Sequence, residues 1–109
     1  MKLYEVFYDF ISNRLSAIYL LTVIRETEKM LYGKYEPVHG GRGFGNFSIR
    51  KNDLGSVDKL ISNGCIYRAR VYAESPEEAL TSAQPRIKAA INNQIKNLSF
   101  VESYVTHKR

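Results

Sequence analysis

Residues His39-Gly40-Gly41-Arg42-Gly43-Phe44-Gly45-Asn46-Phe47 gather four of the chain's seven glycines around one arginine and two aromatic rings. So few side chains cannot build a core, but bare backbone can approach a ligand closely and offer it amide donors. Arg42 adds a fixed charge and Phe44 a stacking face. Together, Gly40, Gly41, Arg42 and Phe44 have the chemistry of a nucleotide or nucleic-acid site. The competing reading is a hairpin tip whose glycines only serve turns. The stretch has no Gly-Lys-Ser/Thr ending and opens no recognisable helix, so it meets neither the ATPase nor the dinucleotide fingerprint.

A second group of cations lies further along. Arg68 and Arg70 are two residues apart in a strand-like run and project to one side, with Tyr72 next in line. With Arg50 from a neighbouring segment, three guanidiniums would hold phosphates through forked hydrogen bonds. A solvated outer face paired with acids would look the same in sequence. Arg86, Asn93 and Asn97 share one flank of the C-terminal helical pattern, suited to a ligand at a subunit seam or simply to solvent. His39 and His107 are the only histidines, and neither has a carboxylate or cysteine at metal-ligand spacing. Glu26 and Glu28, flanked by Arg25 and Lys29, read as a surface ion-pair group. Without a nucleophile elbow, a zinc-protease signature or a cofactor motif, the inventory points to binding rather than catalysis.

The chain of 109 residues carries a net charge of +5. Residues 37–72 hold six basic and two acidic side chains, so four of the five excess charges lie in the third that contains the glycine loop. Such a field attracts phosphates and speeds encounter with anionic partners, though it also serves solubility. The lone Cys65 rules out an internal disulfide and a cysteine-based zinc site and fits a reducing cytosol. The N-terminus shows no export signal. The longest apolar run, residues 15–24, is about half the roughly 20 residues a membrane-crossing helix needs. A soluble, cytoplasmic protein of one domain, residues 1–109, is expected.

Residues 2–10 read as a strand, followed by a turn at Ser12-Asn13. Residues 15–25 suit either a buried helix or a buried strand by periodicity, and the β-branched Thr22-Val23-Ile24 tips the choice to strand. A third strand over residues 29–35 is expected to end before Pro37, and a fourth covers residues 47–50. Turn-rich residues 52–56 follow, then a helical turn over 57–61 and a turn at Ser62-Asn63-Gly64. The clearest strand is 66–73, where Tyr67, Ala69, Val71 and Ala73 alternate with Ile66, Arg68, Arg70 and Tyr72. Ser75-Pro76-Glu77-Glu78 then starts a helix, with Ser75 as N-cap, Pro76 in the first helical position and Glu78 completing a capping box. Leu80, Ala83, Ile87, Ile91 and Leu98 form its apolar stripe, and Pro85 is expected to kink or divide it. Residues 100–105 would return as a last strand and 106–109 as a frayed tail. Strands first and helix last imply an α+β fold, an antiparallel sheet of about five strands with the C-terminal helical segment on one face. Eight tyrosines and five phenylalanines exceed what that arrangement buries, which implies a homo-oligomer.

Two family resemblances bear on function. Arg42-Gly43-Phe44-Gly45 is similar to the start of the ribonucleoprotein sequence of the RNA-recognition motif, but Asn46 moves the second ring one place late, to Phe47. The order of strands followed by a helical segment, with Gly40-Gly41-Arg42 and the small size, resembles the bacteriophage anti-Thoeris sponge proteins of the first described family. That resemblance implies an oligomer in a host-cell cytoplasm that sequesters cyclic ADP-ribose-derived signals or cyclic oligonucleotides without cleaving them. It adds Arg25, Asn92 and Asn93 to Arg42 as candidate ligand-binding residues.

The leading expectation is reversible capture of a small phosphate-bearing nucleotide, without a cofactor. A single-stranded RNA or DNA binder is the main alternative, and a protein-interaction inhibitor a third. On the leading expectation, Arg42→Ala and Arg68→Ala each lose ligand in calorimetry and keep the fold.

Overall fold

The computed structural model describes residues 1–12, 14–60 and 66–107, with the side chains of the C-terminal helix described as far as Asn92. Six strands, β1 (Lys2–Asp9), β2 (Arg14–Glu26), β3 (Met30–Gly40), β4 (Gly45–Arg50), β5 (Val57–Leu60) and β6 (Ile66–Ala73), precede one helix, α1 (Pro76–His107). All strand pairs are antiparallel, in the order β4-β3-β2-β1-β6-β5. The fold is α+β, as expected, with one strand more.

β4 and β5 are the two edges of the sheet, yet only residues 51–56 join them, three of these in a 3-10 turn (Lys51–Asp53). In a flat sheet five spacings of about 4.8 Å would part the edges by about 24 Å, whereas this connection reaches roughly 20 Å. The sheet therefore curls. Register shifts at Phe7/Tyr8, Ile18/Tyr19 and Val23/Arg25 supply the bends. Gly33 lets β2 and β3 approach there, since a Cβ on it would stand 1.9 Å from the Thr22 carbonyl oxygen.

Curling gives each face its own core. On the inner face Leu3, Leu21, Leu31 and Ile49 are buried with no helix against them, and Leu54 of the connection packs over them. On the outer face Tyr4, Val6, Ala69, Val71 and Ala73 meet Ala79, Ala83 and Ile87 of α1. The alanines on both elements let α1 lie close against β6. α1 contacts β6, β1 and β5 and leaves the β2-β3-β4 half of the outer face largely uncovered.

The helix start follows its sequence signal. Glu78 N–H donates to Ser75 Oγ at 3.2 Å, and the Glu78 carboxylate accepts from Glu74 N–H at 2.9 Å. Pro85 does not divide α1, which runs unbroken to His107. Thr81, whose carbonyl loses its donor to the proline, is exposed along with Pro85, so water can satisfy that carbonyl. Residues 100–105 accordingly belong to the helix and not to a last strand. Residues 57–60 form a strand in place of a helical turn. β3 continues through Pro37 because beyond Tyr35 it has no β4 partner, and a missing N–H there removes no bond to β4. The β1–β2 turn is held by the Asp9 carboxylate, which accepts from the Ile11 and Ser12 amides. The Ser12 amide chiefly lowers the Asp9 pKa below its ordinary value. The expected turn at Ser62-Asn63-Gly64, Asn13, Cys65, the Asn93, Asn97 and Leu98 side chains, and residues 108–109 lie outside the described residues. Among the described residues no helix is long and apolar enough to cross a membrane.

Arg86 ties the layers together, its Nη1 donating to the Arg70 carbonyl at 3.1 Å and its Nη2 to the Gly55 carbonyl at 2.7 Å. β5 stops short of these carbonyls, so the guanidinium takes the place of a missing strand. Arg86→Met is expected to lower unfolding free energy by roughly 1–3 kcal/mol in urea titrations, with native far-ultraviolet dichroism.

Candidate functional site

The glycine loop is ordered by one tyrosine. Tyr19 of β2 is wedged edge-on between Phe7 and Tyr35, with ring centroids 5.6 and 5.7 Å away. Its hydroxyl accepts from the Arg42 N–H and donates to the Arg42 carbonyl, both at 3.1 Å. Gly40, Gly41 and Gly43 have φ of 58, 71 and 79°, in the left-handed region. Added Cβ atoms would stand 2.6 Å from the Ser16 carbonyl oxygen at Gly40 and 2.5 Å from the Tyr19 hydroxyl at Gly41. Close approach to β2, as well as turning, explains these glycines.

Pinned at Arg42, the loop displays Phe44 with its side chain 84% exposed. The ring borders a pocket of about 460 Å³ on the uncovered half of the outer face. Thr22, Lys34 and Asn46 are register partners across β2, β3 and β4, forming a row of hydroxyl, ammonium and amide along its floor. Ile24, Tyr35, Glu36 and Gly45 complete the lining. Arg42 makes no ion pair with a described residue. Sequence reading found Phe44 and Arg42 but missed Tyr19, Thr22, Lys34 and Asn46. Period-two spacing of Lys34 and Glu36 was a usable signal, whereas their alignment with Thr22 and Asn46 depends on register.

The remaining arginines separate. Arg68 and Arg70 do share a face, but it is the inner one, and both are engaged with acids. Arg70 Nε donates to Glu5 at 2.9 Å and Arg68 Nη2 to Asp58 at 2.8 Å. Cross contacts of 3.5 Å from Arg70 to Asp58 and 3.9 Å from Arg68 to Glu5 close a four-member network. Arg70 is only 8% exposed, and Arg68 Nε is buried without an acceptor. Arg25 stacks over Tyr32 with its guanidinium carbon 4.1 Å from the ring centre. Arg50 is exposed at the far end of β4 beside Lys29 and Lys51, where Lys51 pairs with Glu26. Arg86 serves the two carbonyls described above, and Asn92 lines a different cavity under α1. The structure thus joins Gly40, Gly41, Arg42 and Phe44 in one loop and parts them from Arg25, Arg50, Arg68, Arg70, Arg86 and Asn92.

Two expectations follow from these contacts. Tyr19→Phe is expected to lose about 1–2 kcal/mol of stability and to speed hydrogen exchange at the Arg42 amide, read by nuclear magnetic resonance. Arg70→Ala, which removes the nearer cation from Glu5 and leaves Arg68 to hold both acids, is expected to cost roughly 3 kcal/mol in chemical denaturation. Compared with protein-family models, curated proteins and solved structures, the chain matches none.

Proposed function

We propose that this protein captures a small nucleotide-type anion, reversibly and without cleaving it, in the pocket beside Phe44. The supporting observation is the exposed Phe44 ring, carried on a loop fixed by Tyr19 and set next to the Thr22–Lys34–Asn46 row. A base stacks on the ring, and the Asn46 amide reads its edge as both donor and acceptor. Lys34 meets a phosphate, Arg42 a second one, and the Glu36 carboxylate accepts from a ribose hydroxyl. A hydroxyl, an ammonium, an amide and a single carboxylate suit holding better than bond breaking. This reading moves the phosphate contacts from the Arg68–Arg70 face, where acids already occupy the guanidiniums, to the loop side of the sheet.

It agrees with the sequestering role implied by the resemblance to anti-Thoeris sponges. The pocket is open on one side, so a second copy of the chain laid over the bare β2-β3-β4 surface would enclose the ligand and strengthen its charged hydrogen bonds.

Calorimetry with cyclic mononucleotides, cyclic dinucleotides and cyclic ADP-ribose isomers tests the reading. Saturable binding of at least one is expected, weakened about tenfold or more by Phe44→Ala and by Lys34→Glu. Silence across the panel would overturn it. Binding confined to long oligonucleotides, falling steeply with salt, would instead support a single-stranded nucleic-acid binder.

A further inference from the structure

A second cavity, of about 540 Å³, lies between α1 and the outer face of the sheet, and none of its lining residues belongs to the glycine loop or to the Phe44 pocket. Its volume falls in the range of about 300–1,000 Å³ usual for small-molecule sites. Ala79 and Ala83 bring α1 down on β6, while the flank of the helix carrying Leu80, Ile87 and Ile91 overhangs β1 and the start of β2. Val6, Tyr8 and Leu15 face that flank from the sheet without filling the space. The result is an apolar trough.

Its rim has a different character. Gln84, Lys88 and Asn92, each four residues from the next, run along the helix edge of the cavity, and Arg14 at the start of β2 stands on the sheet side. No carboxylate lines the cavity among the described residues, and neither Arg14 nor Lys88 forms an ion pair with one. Asp9, the register partner of Arg14, has its carboxylate engaged by the Ile11 and Ser12 amides and the Ser12 hydroxyl, and feels the Arg14 charge without forming a salt bridge to it. Two cations and two amides therefore border an apolar space that no carboxylate of the described residues lines.

We infer that this trough binds a free amphipathic monocarboxylate of medium chain length, with its tail against Leu80, Ile87 and Ile91 and its carboxylate at the rim between Arg14 and Lys88. An apolar body without a charge would leave the Lys88 ammonium without a counter-ion and Arg14 with only the already engaged Asp9, and a small inorganic anion would leave the trough unfilled. An amphipathic acid satisfies both parts.

Dodecanoate, kept below its micelle concentration, is the probe, with dodecan-1-ol as its uncharged counterpart. The chain has no tryptophan, so Gln84→Trp places a single reporter at the rim. Saturable one-to-one binding of dodecanoate with a blue shift of that emission is expected, about tenfold tighter than the alcohol. The surface variant Arg14→Glu/Lys88→Glu should abolish the preference for the acid and keep the alcohol affinity. Phe44→Ala should leave dodecanoate binding unchanged, separating this site from the nucleotide pocket. No saturation up to about 1 mM, uptake of many equivalents, equal affinity for acid and alcohol, or unaltered acid preference in the charge-reversed variant would each overturn the assignment.

Discussion

A short connection between opposite edges governs this fold. Because residues 51–56 must take the chain from the end of β4 to the start of β5, the sheet cannot lie flat, and its inner face becomes a core without any second layer. The rest follows from that curvature. Leu54 seals the inner core, α1 packs on β1, β6, β5 and the first part of β2, and its described residues leave the rest of the β2-β3-β4 half of the outer face largely uncovered. Arg86 then secures the end of the connection by holding the Gly55 and Arg70 carbonyls from the helix.

The same curvature explains where polar side chains can act. Positions facing inward are drawn together, so Arg68 and Arg70 meet Glu5 and Asp58 and their charges are spent within the fold. Positions facing outward beyond the reach of α1 keep their groups accessible, which leaves Thr22, Lys34 and Asn46 beside Phe44. The fold thus assigns arginine pairs to architecture and a lysine, an amide and an exposed ring to the open surface.

What could be read from sequence was whatever depends on neighbours along the chain. The alternation over 66–73, the Ser75–Glu78 capping arrangement and the strand character of Thr22-Val23-Ile24 are local, and all appear in the structure. Whether β3 stops at Pro37 depends on whether β4 lies alongside, and whether residues 57–60 are a strand depends on β6. Pro85 does not divide α1, and the exposed position of Thr81 lets water take the carbonyl that the proline leaves without a donor. The candidate site divides in the same way. Phe44 and Arg42 announce themselves through composition, whereas the Tyr19 latch joins residues 23 apart and the Thr22–Lys34–Asn46 row exists only in the assembled register.

Charge bookkeeping along the chain was misleading for a related reason. The middle third carries most of the positive surplus, but acids from the first third reach it in space, Glu5 to Arg68 and Arg70 and Glu26 to Lys51, while Asp58 adds a second pairing from within. Net charge is unchanged by such pairing, but the local potential that an anion meets is not. Cations without a salt bridge to a described residue include Arg42, within that stretch, and Lys88, outside it. An anion gains most where a cation stands unpaired beside an apolar surface, and that is the arrangement on which both proposed sites rest.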